Sequence, residues 1–189
     1  MKMNVNKIIF FATLIVIVVA SLIFFAGKDD ISTTFGIQEN VENTETEIRA
    51  RSIPDGAALY ENKHFDFSLL YPEELQVKEF DEKNGSWTIV FEDSAMQKGF
   101  QIFILPYEEE EITMERIQID VQGGGIKEPK EALVGENEDI RALIFWSEGS
   151  ILGETREVWF IHGGFLYEVT APAELDVWLA EIMKTWRFE

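Results

Sequence analysis

Hydrophobic and polar positions follow three different patterns along this chain. Residues Ile8 to Ala26 read IIFFATLIVIVVASLIFFA, an apolar run broken only by Thr13 and Ser21 and free of charge. As a helix, such a run spans roughly 30 Å, the thickness of a bilayer's hydrocarbon core. Residues 28–56 scatter their few apolar side chains among Glu, Asn and Thr without any period. That composition buries too little to offset the entropy lost on ordering, so this stretch is expected to be a flexible linker. From residue 57 onward the period becomes two, with aromatic enrichment, and strands are expected.

The elements can be taken in order. Phe65, Phe67, Leu69 and Tyr71 share one face of a strand that Pro72 ends. Leu75 to Phe80 continues in extended form, and Asn84-Gly85 predicts a type I′ hairpin turn, since both residues accept positive φ. Trp87, Ile89 and Phe91 mark the returning strand, and Phe100 to Leu105 the next. Thr113 is placed to cap a helix running to about Gln122, with Met114, Ile117 and Val121 on its inner face and Gly123-Gly124-Gly125 as its stop. Strands are then expected over Lys130 to Val134, Asp139 to Ser147, Thr155 to Ile161 and Phe165 to Thr170, the last two joined in a hairpin at His162-Gly163-Gly164. A final helix carries Leu175, Trp178, Leu179, Ile182 and Met183 in one stripe, with Pro172 in its first turn. Thr185 to Phe188 then leaves as a short closing strand. The expected fold class is α+β: an N-terminal transmembrane helix, then a largely antiparallel sheet covered by two or three helices.

Charge gives the apolar run an orientation. Lys2 and Lys7 precede it, and no Asp or Glu occurs before Asp29. Positive charge collects on the cytoplasmic side, so the N-terminus reads as inside and the remainder as extracytoplasmic. The competing reading is a cleaved signal peptide, whose apolar core is shorter. Its best cleavage candidate, Val18-Val19-Ala20, lies within the run. The expected organisation is a signal anchor over residues 1–27, an acidic linker over 28–56 and one domain over 57–189, in a single-pass protein of the cell membrane. The whole chain carries −19, and residues 1–27 contribute +2, which leaves −21 for the rest. Such a charge argues against binding nucleic acid or lying on anionic lipid, and is compatible with cationic partners. With no cysteine in the chain, disulfides, thiolate metal sites and acylation are excluded together.

The motif search yields no catalytic, cofactor or metal constellation. Gly123-Gly124-Gly125 lacks the following Lys-Ser/Thr of a phosphate loop. His64 and His162 are far apart in sequence, and neither has a second ligand at metal spacing. Glu108, Glu109, Glu110 and Glu111 form an acidic run that could hold calcium weakly, but reads first as a solvated loop entering a helix N-terminus. Asp81 to Gly85 resembles a calcium loop superficially, yet Lys83 stands at a ligand position. Asn84-Gly85-Ser86 is formally a glycosylation sequon within a tight turn. Trp87, Trp146, Trp159 and Trp178 fall on patterned faces and are expected mostly in the core. Two or three of them on a concave face would instead line an apolar pocket.

Three stretches carry a family resemblance. Tyr60 to Leu75 (YENKHFDFSLLYPEEL), Gly164 to Thr170 (GFLYEVT) and Leu179 to Phe188 (LAEIMKTWRF) are similar to the PsbP-like fold found in many small secreted or anchored bacterial proteins. This chain has Leu75 where that family often has Trp, and His64 where it often has Gly. The resemblance implies an αβα sandwich around an antiparallel sheet and an accessory or adaptor role. It supplies no motif for the metal-cluster association of the photosystem members. The functional expectation is a non-enzymatic, membrane-tethered domain contacting a protein partner at the cell envelope, needing no cofactor. The alternative is a small-molecule or lipid carrier with an aromatic-lined pocket.

Overall fold

A computed structural model of the chain describes residues 52–121, 125–149 and 153–189. The apolar run of residues 8–26, most of the linker, Gly123-Gly124 and the turn at 150–152 lie outside the described residues. Among the described residues no helix is long and apolar enough to cross a membrane.

Among the described residues, ten strands make two antiparallel sheets. Strands β1 (Ala57–Asn62), β2 (Phe67–Pro72) and β10 (Arg187–Phe188) form a small sheet in the order β1-β2-β10. Strands β3 (Gln76–Lys83), β4 (Ser86–Asp93), β5 (Lys98–Pro106), β6 (Gly125–Val134), β7 (Ile140–Gly149), β8 (Gly153–His162) and β9 (Phe165–Pro172) form the main sheet, ordered β3-β4-β5-β9-β8-β7-β6. Helix α1 (Met114–Asp120) lies between β5 and β6 in the chain. A 3₁₀ turn (Ala173–Leu175) leads into helix α2 (Asp176–Met183).

The period-two pattern explains how the main sheet buries both faces. On β8, Val158 and Phe160 point into one core while Trp159 and Ile161 point into the other. On β9, Tyr167, Val169 and Ala171 join the first and Leu166 the second. The larger core is closed by the small sheet and α2, through Phe67, Leu69, Leu179, Ile182 and Met183. The smaller core is closed by α1, whose Ile117 is fully buried beside Phe145 and Trp159. One face of the main sheet is therefore covered by a second sheet together with α2, where the sequence suggested helices alone.

The three stretches that carry the resemblance converge in the larger core. Phe67 of β2 stacks on Trp186 at 4.4 Å between ring centroids, and Tyr167 of β9 meets both rings edge-on at 5.9 Å. Such pairs each contribute about 0.5–1.5 kcal/mol beyond the area they bury.

Local expectations differ in several places. Asn84 and Gly85 have φ of 52° and 81°, as the hairpin signal requires. Thr113 caps α1, its hydroxyl accepting from the Arg116 N–H at 3.1 Å, but Met114 faces solvent rather than the core. The strand expected from Lys130 begins at Gly125 instead, and a bulge between Lys127 and Lys130 interrupts its ladder. Pro172 ends β9 and precedes the 3₁₀ turn, so it does not open α2. Of the four candidate core tryptophans, Trp159 is buried. Trp87 and Trp178 pack partly buried against the larger core, and Trp146 lies under the Arg156 guanidinium, 4.3 Å from its ring centre. Arg156 also reaches Asp176 at 2.8 Å, which pins the start of α2 to β8.

Candidate functional site

Two polar constructions stand out in this apolar framework: an open groove at one end of the main sheet, and a buried carboxylate network beneath α1.

The groove has a volume of about 470 Å³. Its floor and walls come from the start of β7 (Ile140, Arg141, Ala142, Leu143), the end of β8 (Ile161, His162) and the closing segment Trp186, Arg187 and Phe188. Its rim comes from Glu110, Glu111 and Ile112 before α1, from Glu131 on β6, and from Asn137 and Asp139 in the β6–β7 loop.

Each segment has a local reason for its position. Tyr107 is buried, donates from its hydroxyl to the Glu111 carbonyl at 3.0 Å, and donates its backbone N–H to the Gly164 carbonyl at 2.8 Å. The acidic run is thus tied to the β8–β9 turn. Burial first, then the Glu109 carboxylate, pushes the pKa of the Tyr107 phenol up. In the β6–β7 loop, the N–H groups of Gly135 and Glu136 donate to the carbonyls of Met183 and Trp186, each at 2.9 Å. These bonds satisfy carbonyls at the end of α2 and fix the loop beside β10. Gly135 is required there: its φ is +91°, and a Cβ would come within 2.9 Å of Ile140.

The groove's charges are unevenly paired. The Arg141 Nη2 donates to both carboxylate oxygens of Glu131 at 2.8 Å, and Arg187 pairs with Glu136. Hydrogen bonding to those carboxylates raises the pKa of both guanidinium groups, so they stay charged. Glu111 lies near enough for its charge to act on Arg141, and Asp139 for its charge to act on His162. The His162 ring stacks on Phe188 at 3.5 Å and 8°. Desolvation lowers its pKa below 6.5, while the nearby Asp139 charge pulls the other way. Trp186 is buried, and among the described residues its indole N–H has no hydrogen-bond partner.

The second construction is centred on Glu157. Its carboxylate accepts from Ser147 at 2.9 Å, Thr155 at 2.7 Å, Thr170 at 2.7 Å and the Trp159 indole at 3.2 Å. Pairing of Glu157 with Thr170, and of Trp159 with Glu168, puts Glu157 and Glu168 diagonally on the same face of the sheet. Glu168 is buried and hydrogen-bonds with Asp120 of α1, which in turn pairs with Arg116. Burial, then the Asp120 hydrogen bond and charge, raise the Glu168 carboxyl to about 9, against an opposing effect of Arg116. The network is a polar plug that fixes the end of α1 over the smaller core.

The structure places the residues singled out from sequence as follows. Glu110 and Glu111 reach the groove, whereas Glu108 and Glu109 are not among its lining residues. His162 lies in the groove. His64 is exposed, tilts over Trp87 at 5.4 Å, and is not among the groove's lining residues. Among the described residues no group of three or more His, Asp or Glu side chains is arranged to hold a metal ion. Sequence reasoning did not single out Glu157, Glu168, Asp139 or Trp186. Glu168 carries a signal, a lone carboxylate in the middle of a largely apolar strand, whereas Glu157 follows Glu154 and Arg156 in β8 and, like the groove residues, carries none. A second depression, of about 140 Å³, lies between β6–β8 and α2 and is below the size of sites that hold drug-sized ligands.

The sequence matches no protein-family model and no curated protein. Among solved structures, the fold is similar to the solution structure of cyanobacterial PsbP (CyanoP) from Synechocystis sp. PCC 6803, with a TM-score of 0.52. The likeness covers 71% of this chain and 93% of that one at 9% identity. At that identity it supports the PsbP-like fold expected from the sequence and says nothing about individual site residues.

Proposed function

We propose that this chain is a membrane-tethered accessory domain that binds a protein partner at the cell envelope through the groove at the end of its main sheet, without covalent chemistry. The observation that carries this reading is the groove itself: some 470 Å³, built from strand ends and two loops held by backbone hydrogen bonds, with a rim of exposed carboxylates. Rigid placement of polar groups around an apolar floor is what a specific recognition site needs. The volume also lies in the small-ligand range, but the acidic rim suits a polypeptide better than a lipid.

Site-specific photo-crosslinking in intact cells tests the reading. A benzophenone side chain at Asn137, on the groove rim, is expected to capture one envelope protein, and the same group at exposed Met96 is expected not to. Equal capture from both positions, or none from Asn137, overturns it. The tether is tested separately by mass spectrometry of the mature N-terminus. A start near Ser21 would mean a cleaved leader and a released domain.

A further inference from the structure

We infer that Glu168 and Asp120 form a proton-operated latch for α1: the helix stays docked over the smaller core while the two carboxyls share a proton, and lifts away when that proton passes to solvent. The device lies apart from the groove and is independent of the accessory reading.

The pairing itself requires the proton. Ionised carboxylates only accept hydrogen bonds, so Glu168 and Asp120 bond to each other only if one of them carries a hydrogen. Burial assigns it to Glu168, which is 8% exposed and whose Oε1 has no partner among the described residues. Asp120 sits nearer solvent and is paired with Arg116. On β8, the diagonal Glu157 takes the hydroxyls of Ser147, Thr155 and Thr170 and the Trp159 indole N–H, and its charge disfavours a second one beside it. Strand β5 sets the uncharged Phe103 opposite Glu168. Among the described residues the cation acting on Glu168 is Arg116, which is shared with Asp120 and lies 5.8 Å from the Tyr107 ring centre. Losing the proton therefore sets three carboxylates against a single guanidinium and removes the hydrogen that joins helix to sheet.

Helix α1 is built to respond. Its seven residues are too few to persist without packing. It buries Ile117, which Ile112 and Val121 flank partly buried, and Asp120 ties its last turn to the sheet. When it lifts, Ile117 leaves Phe145 and Trp159, and the smaller core opens while the strand ladders stay paired. The sign follows from the two states. The Glu168 carboxyl titrates at about 9 when docked and near 4.5 when free. Docking is therefore strongest below pH 4.5, weakens about tenfold per pH unit above it, and levels off beyond about pH 9.

The chain has no cysteine, so a nitroxide label can be placed at one chosen position of the full chain in detergent micelles. Gln118→Cys puts it on the exposed side of α1, and Gln76→Cys on exposed β3 as the reference. Electron paramagnetic resonance at room temperature then reads the ratio of mobile to immobile label. On α1 that ratio is expected to rise about tenfold per pH unit between about pH 7 and about pH 9 and then to level off. The β3 label is expected not to change. Glu168→Gln keeps a donor for Asp120 but does not titrate, and is expected to hold the α1 ratio flat. Should that variant not fold, Asp120→Asn decides: its amide donates to ionised Glu168 and is expected to keep α1 docked at about pH 10. A ratio on α1 that ignores pH, a rise that persists in the substituted chain, or a β3 label that mobilises in step overturns the inference.

Discussion

Glu168 holds a proton that the unfolded chain gives up. Its carboxyl titrates near 4.5 when unfolded and at about 9 in the fold. Between those values the native state binds the extra proton, so its contribution is fully present below pH 4.5 and declines as pH rises toward 9. Chemical denaturation at pH 5.5 and at pH 8.5 is expected to show lower stability at the higher pH. Glu168→Gln, which retains a donor for Asp120 but does not titrate, is expected to flatten that difference. Glu157 behaves differently, because it serves four donors at once. Glu157→Ala removes the acceptor they share, leaving only the Ser147–Thr155 hydroxyl pair at 2.6 Å, and is expected to cost about 2–4 kcal/mol in urea unfolding. Glu157→Gln is expected to cost nearly as much, since an amide offers one oxygen where donors converge on two.

Individual elements were legible where a local rule fixes them. The Asn84-Gly85 hairpin, the Thr113 cap and the apolar stripe of α2 follow from turn chemistry, an orphan N–H and helical periodicity. Strand β1 was not picked out, because AALYEN has no clear alternation; its pairing with β2 makes it a strand. The expected closing strand is present, but it joins β2 in the small sheet, a long-range choice that no local pattern records. Element-scale tests follow from the same geometry. At Gly99 a Cβ would sit 2.3 Å from the Phe91 carbonyl oxygen, so Gly99→Ala must push β4 and β5 apart. Such crowding is expected to lower stability by about 1–3 kcal/mol, read from the denaturation midpoint. Thr113→Ala removes the α1 cap at a cost of about 1 kcal/mol, and faster amide exchange should be confined to that helix.

For the molecule as a whole, the dominant quantity is its negative charge, −19 over the full chain. Self-repulsion of that size destabilises a folded domain and is relieved by salt. Raising NaCl from about 20 mM to about 200 mM is expected to increase the melting temperature by about 2–4 °C. Composition showed this charge, which argues against nucleic acid as a partner, but it could not show the groove. Glu110, Glu111, Glu131, Asp139, His162 and Trp186 come from five stretches of chain that only the folded topology assembles. The acidic run and His162 were each noticed singly, and their shared location was invisible without the β6–β7 loop bonded to the end of α2.

Trp186 has one further consequence, for the timing of folding. Its ring fills the space between Phe67 and Phe160, and the Glu189 N–H reaches back to the Asp66 carbonyl at 2.9 Å. The larger core therefore stays open until residue 186 has left the ribosome, however early the hairpins of β3–β4 and β8–β9 form. Contacts spanning more than a hundred residues also close slowly. A chain that keeps its core unfinished through synthesis remains threadable during that interval, at the price of exposing its aromatic surface to chaperones and to aggregation.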